Sequence, residues 1–310
     1  MIVTLTINPA IDRTISVDRL AFEDRAYVNS NRESGGGRGI NASCVIHSFG
    51  GQVTAVFPSG GHSGKRLEAY LNGCGLRIAV VPIRNPIRTN LTVTDKHGLT
   101  VNLNETGPTL SKAEVARVEQ TVLGALHHAS WLMVCGSVPP GVPSSFYAKL
   151  ISTARRKNVK TLLDADGAAL REGIEAGPTV VTPNQQEAER LLGVTLLTRN
   201  MYVEAAEKIR AMGPESVVLS VGSRGAIGAY RKGLFEALPP RVDAVCPIGS
   251  GDALAAAYAW SMERNPDRPA EALRWGVAAG TASAQMPGMT FAGLRQTQET
   301  YRQVEVRRVE

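Results

Sequence analysis

From about residue 110 onward the chain falls into short apolar runs separated by longer amphipathic stretches. Trp131 to Cys135, Lys160 to Asp164, Thr179 to Thr182 and Ser216 to Ser220 hold Val and Leu on consecutive positions, the pattern of strands buried on both faces. The intervals are long enough for helices. Pro143 to Asn158 opens with a proline and two serines, then places Phe146, Leu150, Ile151 and Ala154 at helical spacing. Further upstream, Ser111-Lys112-Ala113-Glu114 reads as a capping box, followed by Val115, Val118 and Val122 on one stripe. This alternation predicts right-handed β-α-β units, hence an α/β fold with a mainly parallel sheet covered on both faces.

The first half has a different rhythm. After an opening strand-like run, Ile2 to Ile7, residues 12–32 and 86–103 show neither helical stripes nor buried-strand runs. Instead Leu91 to Asp95 and Leu99 to Leu103 alternate apolar and polar positions, with Lys96-His97-Gly98 between them as a turn. That is the pattern of a hairpin with one face exposed. Such a sheet cannot bury its apolar face alone. The expectation is a body made of residues 1–11, 33–85 and 104–310, carrying a small antiparallel sheet from 12–32 and 86–103 as a lid or dimer surface.

Composition narrows the class. The 310 residues are 43% hydrophobic and 20% charged, which suits one large α/β unit or two domains and argues against disorder. Lys and Arg outnumber Asp and Glu by 34 to 28, a net charge of +6, so anionic ligands are favoured. The basic residues are scattered and aromatics make up only 5%; a nucleic-acid partner is not expected, and a phosphorylated small molecule fits the same charge. The four cysteines are far apart without a C-x-x-C pair, as in a reducing compartment. The chain opens without a charged n-region and apolar run, and Trp275 to Leu294, its longest uncharged stretch, is interrupted by glycines and a proline. A cytoplasmic protein with no membrane partner is expected.

Two segments carry candidate chemistry. Pro247-Ile248-Gly249-Ser250-Gly251-Asp252 leads into an Ala-rich helical stretch. Glycines at a helix start leave backbone N–H groups open to an anion. Asp252 is then either a helix cap or the acceptor of a proton from a substrate hydroxyl. The second segment, Ser34-Gly35-Gly36-Gly37-Arg38-Gly39-Ile40-Asn41, has four glycines in five residues, which points to close approach of backbone and ligand. It does not follow the dinucleotide spacing G-x-G-x-x-G, and Ser59 to Arg66 lacks the first Gly and the final Ser or Thr of a phosphate loop. No G-x-S-x-G elbow and no H-x-x-x-H pair occurs, so hydrolase and zinc readings have no support. Asp164-Ala-Asp166 stands at a strand end, where it can face a ligand or cap a helix.

In order along the chain, Gly36-Gly37-Arg38-Gly39-Ile40-Asn41, Thr182-Pro183-Asn184-x-x-Glu187 and Gly249-Ser250-Gly251-Asp252 resemble the motifs of the phosphofructokinase B family of ribokinase-like sugar kinases. The opening Thr4 to Asp12, the pair Arg88-x-Asn90 and Gly136-Ser137-x-Pro139-Pro140-Gly141 resemble its phosphosugar branch. The resemblance covers nearly the whole chain. It implies a three-layer α/β/α sandwich with a β lid, and transfer of the γ-phosphoryl group of ATP, with Mg²⁺, to a ketohexose phosphate. Fructose 1-phosphate is the first expected acceptor. Tagatose 6-phosphate and fructose 6-phosphate follow, then an unphosphorylated sugar or nucleoside, then binding without catalysis.

The same resemblance implies roles for single residues. Asp252 would be the catalytic base, with Gly249, Ser250 and Gly251 as the anion hole. Asp12, Gly36, Gly37 and Asn41 match positions that hold sugar hydroxyls, and Arg88 and Ser137 positions near the substrate phosphate. Arg25 falls near a cation of the lid. Asn184 and Glu187 match the motif that organises phosphates and Mg²⁺, Glu187 acting through water. Ser220, Gly222 and Gly225 match the nucleotide loop. Arg25, Arg38 and Arg88 are the cations available to a substrate phosphate, and a homodimer through the lid is expected. Departures from the pattern are Thr182 and Arg38 where Lys is common, Ser250 where Ala is commoner, and Met286 where Asn is frequent.

Overall fold

The computed structural model describes every residue except 22, 23, 289 and 310. In chain order, the first half contains β1 (Ile2–Thr6), β2 (Ala10–Val17), β3 (Val28–Gly36), α1 (Arg38–Ser48), β4 (Val53–Ser59), α2 (Gly61–Gly73), β5 (Ile78–Pro82), β6 (Arg88–Asp95) and β7 (Thr100–Asn104). The middle continues with α3 (Lys112–Ala125), β8 (Trp131–Cys135), α4 (Phe146–Arg156), β9 (Lys160–Asp164), α5 (Gly167–Glu175), β10 (Val180–Val181), α6 (Gln185–Leu192) and α7 (Arg199–Ala211). The last third adds β11 (Ser216–Ser220), β12 (Ala226–Tyr230), β13 (Gly233–Leu238), α8 (Ser250–Arg264), α9 (Pro269–Ala284), α10 (Leu294–Tyr301) and β14 (Glu305–Val309).

The large sheet runs in the order β14-β13-β12-β11-β10-β9-β8-β1-β4-β5. From β11 to β5 every pairing is parallel, and β12, β13 and β14 close the far edge antiparallel. All four runs read as buried strands lie in it, although Thr179 to Thr182 contributes only Val180 and Val181. Strand periodicity splits the core into two layers. Ile2, Met133, Leu162 and Val218 face one side, packed with α1, α8 and α9. Val3, Leu132, Leu163 and Val217 face the other, packed with α3, α4, α5 and α7. The capping box of α3 is formed, Ser111 Oγ accepting from the Glu114 N–H and the Glu114 carboxylate from the Ser111 N–H.

The small sheet, in the order β3-β2-β6-β7, departs from expectation in two ways. It was read as antiparallel, but its central pair β2 and β6 is parallel. Both strands leave the same end of the body, β2 just after β1 and β6 just after β5, which run in one direction within the large sheet, so they set out the same way. The hairpin β6–β7 pairs Leu91 with Leu103 and Val93 with Val101, but its faces are used in the opposite sense. Asn90, Thr92, Asn102 and Asn104, the polar face, line a cavity over the body. On the apolar side Leu103 is 55% exposed.

Helix α8 packs closely on α9. A Cβ at Gly276 would stand 3.0 Å from Leu254 O, and one at Gly280 only 2.9 Å from Ser250 O. The two glycines let α9 lie against the first turns of α8, which fixes the residues that begin it.

Candidate active site

Helix α8 begins at a bare end. Gly249 occupies the N-cap position with φ 81° in the left-handed region, and no side chain caps the helix. Asp252 is therefore not the cap, which removes the bland reading of this residue. Its Oδ2 instead accepts a hydrogen bond from Asn41 Nδ2 at 2.7 Å, joining α8 to α1. The surrounding protein desolvates the Asp252 carboxyl, and Asp164 nearby adds like charge. Together they push its pKa up to about 7 against the opposing pull of Arg38 and the Asn41 hydrogen bond. A carboxylate poised near neutrality beside open helix N–H groups can take a proton while an anion is held next to it.

Asp252 lines two cavities, and a third adjoins one of them. The largest, about 540 Å³, is lined by Ser220, Gly222, Gly225, Pro239, Val277 and Gly280 among others. Its mixed apolar and polar wall suits a purine with a ribose. Gly225 has φ 93°, and a Cβ there would stand 2.0 Å from Ala237 O, so the turn after β11 is tied to glycine. A second cavity, about 320 Å³, is lined by Arg38, Asp164, Thr182, Asn184, Glu187 and the Gly249–Asp252 turn. It shares Ser220, Gly222, Ser250 and Gly251 with the first. A third, about 370 Å³, lies under the small sheet and is lined by Asn8, Asp12, Gly37, Asn41, Arg88, Asn90, Ser137 and Asp252.

The third cavity is polar by construction. The parallel register sets Asp12 opposite Asn90, and Asn90 Nδ2 donates to Asp12 Oδ1 at 2.7 Å. Burial raises the Asp12 pKa, with Asn90 and Arg88 opposing the shift. Gly36 makes room for this carboxylate, because a Cβ there would stand 2.2 Å from Asp12 Oδ2. Gly37 has φ 111° and starts α1. Arg88 donates to the carbonyls of Glu105 and Asn8 at 3.0 and 3.1 Å, and burial lowers its pKa. Ser137 Oγ accepts from Asn8 Nδ2 at 3.2 Å. Three wall residues keep buried polar atoms without a partner, namely Asn8 Oδ1, Arg88 Nε and Asn90 Oδ1. Buried polar atoms are normally paired, so these three mark the wall as one whose hydrogen-bonding capacity is not used up within the protein.

Not every expected residue arrives there. Arg25 is exposed on the connection between β2 and β3 and lines none of the three cavities. Arg38 lines the second and third, yet its charge is already engaged. Its Nη1 donates to Asp164 Oδ1 at 2.7 Å and its Nη2 to Glu187 Oε1 at 2.9 Å, with Asp166 Oδ2 at 3.5 Å. Asn184 and Glu187 form a capping box for α6, so Glu187 Oε2 accepts from the Asn184 N–H at 2.9 Å. Met286 lines none of the three cavities; its sulfur accepts from Gln296 Nε2 at 3.5 Å. Sequence reasoning passed over Asn90, Asn102 and Asn104 as binding residues. The signal for Asn90 was its period-two spacing from Arg88 on β6, and Asn102 and Asn104 share that face through their pairing with Thr92 and Asn90.

A parallel α/β sandwich with a small sheet over one end, and a carboxylate, Asp252, between a sugar-sized cavity and a second one that adjoins a nucleotide-sized cavity, fits a sugar-phosphorylating enzyme. The chain belongs to the pfkB family of carbohydrate kinases, whose profile matches residues 4–296. It is 34% identical over 291 residues to the ATP-dependent 6-phosphofructokinase isozyme 2 of Mycobacterium tuberculosis, covering 93% of this chain and 85% of that one. It is 26% identical over 305 residues to the 1-phosphofructokinase of Vibrio cholerae, covering 98% and 96%. It is also 26% identical over 310 residues to the tagatose-6-phosphate kinase of Staphylococcus epidermidis, covering 99% of each. Among solved structures, Escherichia coli phosphofructokinase-2 in complex with substrates and products superposes with a TM-score of 0.91 at 30% identity, covering 97% and 98%. The chain is thus an ATP-dependent phosphotransferase acting on a sugar hydroxyl, of the phosphosugar branch.

The raised pKa of Asp252 sets a pH dependence. With Asp252 as the proposed base, whose active form is the ionised one, activity is expected to fall as the pH drops below about 7. The expected profile of kcat/KM climbs roughly tenfold per pH unit on the acid side and levels above the pKa. A flat profile between pH 5 and 8 contradicts the assignment of Asp252 as the base.

Proposed function

We propose that this enzyme transfers the γ-phosphoryl group of ATP to a ketohexose monophosphate. The observation that carries the reading is the third cavity, whose lining brings Asp252 together with the polar side chains of Asp12, Asn41, Asn90 and Ser137 and the guanidinium of Arg88. A sugar hydroxyl held near Asp252 loses its proton to that carboxylate as its oxygen attacks the γ-phosphorus. The Gly249–Gly251 turn supplies N–H groups for the charge that develops, and Asp12, Gly36, Gly37 and Asn41 orient the sugar. Arg88 and Ser137 receive the sugar's own phosphate. Ser220, Gly222, Gly225 and Asn184 hold the nucleotide.

Mg²⁺ fits the middle cavity as an ion that arrives with the nucleotide. Among the described residues no group of three or more His, Cys, Asp or Glu side chains is arranged to hold a metal alone. Mg²⁺ in such sites keeps several waters and takes one or two carboxylates plus substrate phosphates. Glu187, both of whose oxygens already accept hydrogen bonds, would hold it through water, with Asp164 beside it. The bound ion supplies charge neutralisation and a template for the phosphates.

The small sheet, with residues 12–32 and 86–103 at its centre, serves in this reading as a lid that keeps water from the phosphoryl group. Leu99, Leu103, Tyr27 and Val28 of that region are 53–75% exposed. Exposed apolar side chains at both edge strands of this sheet suit an interaction surface, and a second copy of the chain is the proposed occupant, which brings the exposed Arg25 segment to the interface. Among the described residues no helix is long and apolar enough to cross a membrane, and a cytoplasmic enzyme is proposed.

ADP release with Mg-ATP against fructose 1-phosphate, fructose 6-phosphate, tagatose 6-phosphate, fructose and ribose tests the acceptor class. Selective turnover of one phosphosugar is expected, and Asp252→Asn should lower kcat by about 10²- to 10⁴-fold with ATP binding kept. Turnover confined to fructose or ribose would refute the phosphosugar reading. Arg88→Ala should raise KM for the phosphosugar by on the order of tenfold or more while KM for ATP stays constant, since a charged hydrogen bond to phosphate contributes about 1.5–3 kcal/mol. An unchanged phosphosugar KM removes Arg88 from the phosphate subsite. In solution, Leu103→Asp should shift a dimer to monomer by light scattering, and a wild-type monomer at micromolar concentration sinks the lid interface.

A further inference from the structure

Three residues line both the middle cavity and the sugar cavity: Arg38, Gly249 and Asp252. A phosphoryl group passing from the nucleotide side to the sugar side crosses all three. Asp252 takes the proton and Gly249 opens the anion hole, which leaves Arg38 without a stated task. We infer that Arg38 is a catalytic residue that contacts the phosphoryl group during transfer, rather than the phosphate already on the sugar. The inference rests on the kinase reading above.

Charge requires such a residue. The middle cavity presents the carboxylates of Asp164, Glu187 and Asp252, and among its described lining residues Arg38 is the one cation. Position 182, where a lysine would reach the same space, is an uncharged threonine. The transferring group spreads negative charge over three equatorial oxygens. Against three carboxylates it needs a cation that does not belong to the departing nucleotide. Arg88 is not that cation, because it lines only the sugar cavity and donates to the Asn8 and Glu105 carbonyls.

Arg38 is also held in place for the purpose. It is the first residue of α1, between Gly37 and Gly39. A Cβ at Gly37 would stand 2.6 Å from Thr6 Cγ2, and one at Gly39 would stand 2.8 Å from Leu5 O, so the start of α1 is pressed onto β1. Asp164 and Glu187 then fix the guanidinium by one hydrogen bond each. A guanidinium has five N–H donors and two are used in these hydrogen bonds, so donors remain for phosphoryl oxygens even with Asp166 Oδ2 3.5 Å from Nη2. A donor oriented beforehand by its own neighbours stabilises developing charge without reorganising at the moment of reaction. In the step itself, the sugar oxygen bonds to the γ-phosphorus and its proton goes to Asp252. The bond from the γ-phosphorus to the β,γ-bridging oxygen breaks, and that electron pair leaves with ADP. Arg38 exchanges neither proton nor bond.

The test compares R38M, R38K and the double variant R38M/T182K with the unmodified enzyme, using the phosphosugar the acceptor panel selects. R38M should lower kcat by about 10²- to 10³-fold, while KM for the phosphosugar and the Kd of Mg-ADP stay within about threefold. The loss should persist at pH 9, where a change in Asp252 ionisation no longer matters. Calorimetry should show about 10²-fold weaker binding of Mg-ADP with aluminium fluoride and the phosphosugar, a mimic of the group in transfer, because transition-state analogues lose what the transition state loses. T182K should return at least about tenfold of the lost kcat by placing a cation on the same wall. A kcat for R38M within about fivefold of wild type, or equal losses for Mg-ADP alone and for the aluminium fluoride complex, overturns the inference. If R38M does not fold, R38K, which keeps charge beside Asp164 and Glu187 but loses the planar fork, is judged by the same binding comparison. An unmodified enzyme that turns over no phosphosugar fails the kinase reading instead, and the two failures are distinct.

Discussion

A half-buried carboxyl group at the junction of two cavities is the constraint on which the rest of this molecule depends. In the proposed reaction Asp252 is the base, and desolvation by the surrounding protein raises its proton affinity toward neutrality. Desolvated charge is costly, so the fold surrounds it with counterweights. Asn41 donates to it from α1, and Arg38 offsets the like charge of Asp164. The bare end of α8, with Gly249 in the left-handed region, leaves the neighbouring N–H groups uncapped. A side-chain cap would satisfy those groups and close the space an anion needs. Local stability is given up at the helix start for chemistry at the same atoms.

Glycine does the geometric work around this carboxyl. Gly276 and Gly280 let α9 press on the first turns of α8, and Gly36 leaves room for the Asp12 carboxylate beside Asn90. Each removes a Cβ where backbone or a functional side chain must pass. The glycine-rich segments therefore read as functional for two separate reasons. Some glycines supply a left-handed backbone, as at Gly37, Gly225 and Gly249, and others supply only space.

The body was legible in the sequence because burial on both faces writes itself as unbroken apolar runs, and Trp131 to Cys135 or Ser216 to Ser220 have no other use. The glycine clusters and the helix-start carboxylate singled out in the sequence do come together in space, Gly37, Gly249 and Asp252 lining one cavity. What did not show was partnership. Nothing in the spacing of Arg38 announces that Asp164 and Glu187 will hold its guanidinium, because the three come from α1, the end of β9 and α6. Likewise Asn184 and Glu187 read as ligands of a nucleotide and are also a capping box, one motif serving two ends. Long-range pairing of charges is a property of the assembled fold, and single-chain patterns carry it only where the residues are close in sequence.

The small sheet makes the sharper point about pattern. Alternation in β6 and β7 identified two faces, and the usual rule assigns the apolar face to the core and the polar one to water. Here the polar face, through Asn90, Asn102 and Asn104, looks into the sugar cavity, and the apolar face, through Leu103, looks outward. In the proposed reading the rule fails because the sugar takes the place of solvent on one side. A sheet that recognises a polyhydroxylated molecule must present amides to it, and those amides displace the apolar side chains to the opposite face. That face then lacks a core of its own. A second copy of the chain, in the proposed dimer, would bury it and hold the sheet in position over the body. Recognition of the sugar and association of the enzyme would thus follow from one alternating pattern, read on its two sides.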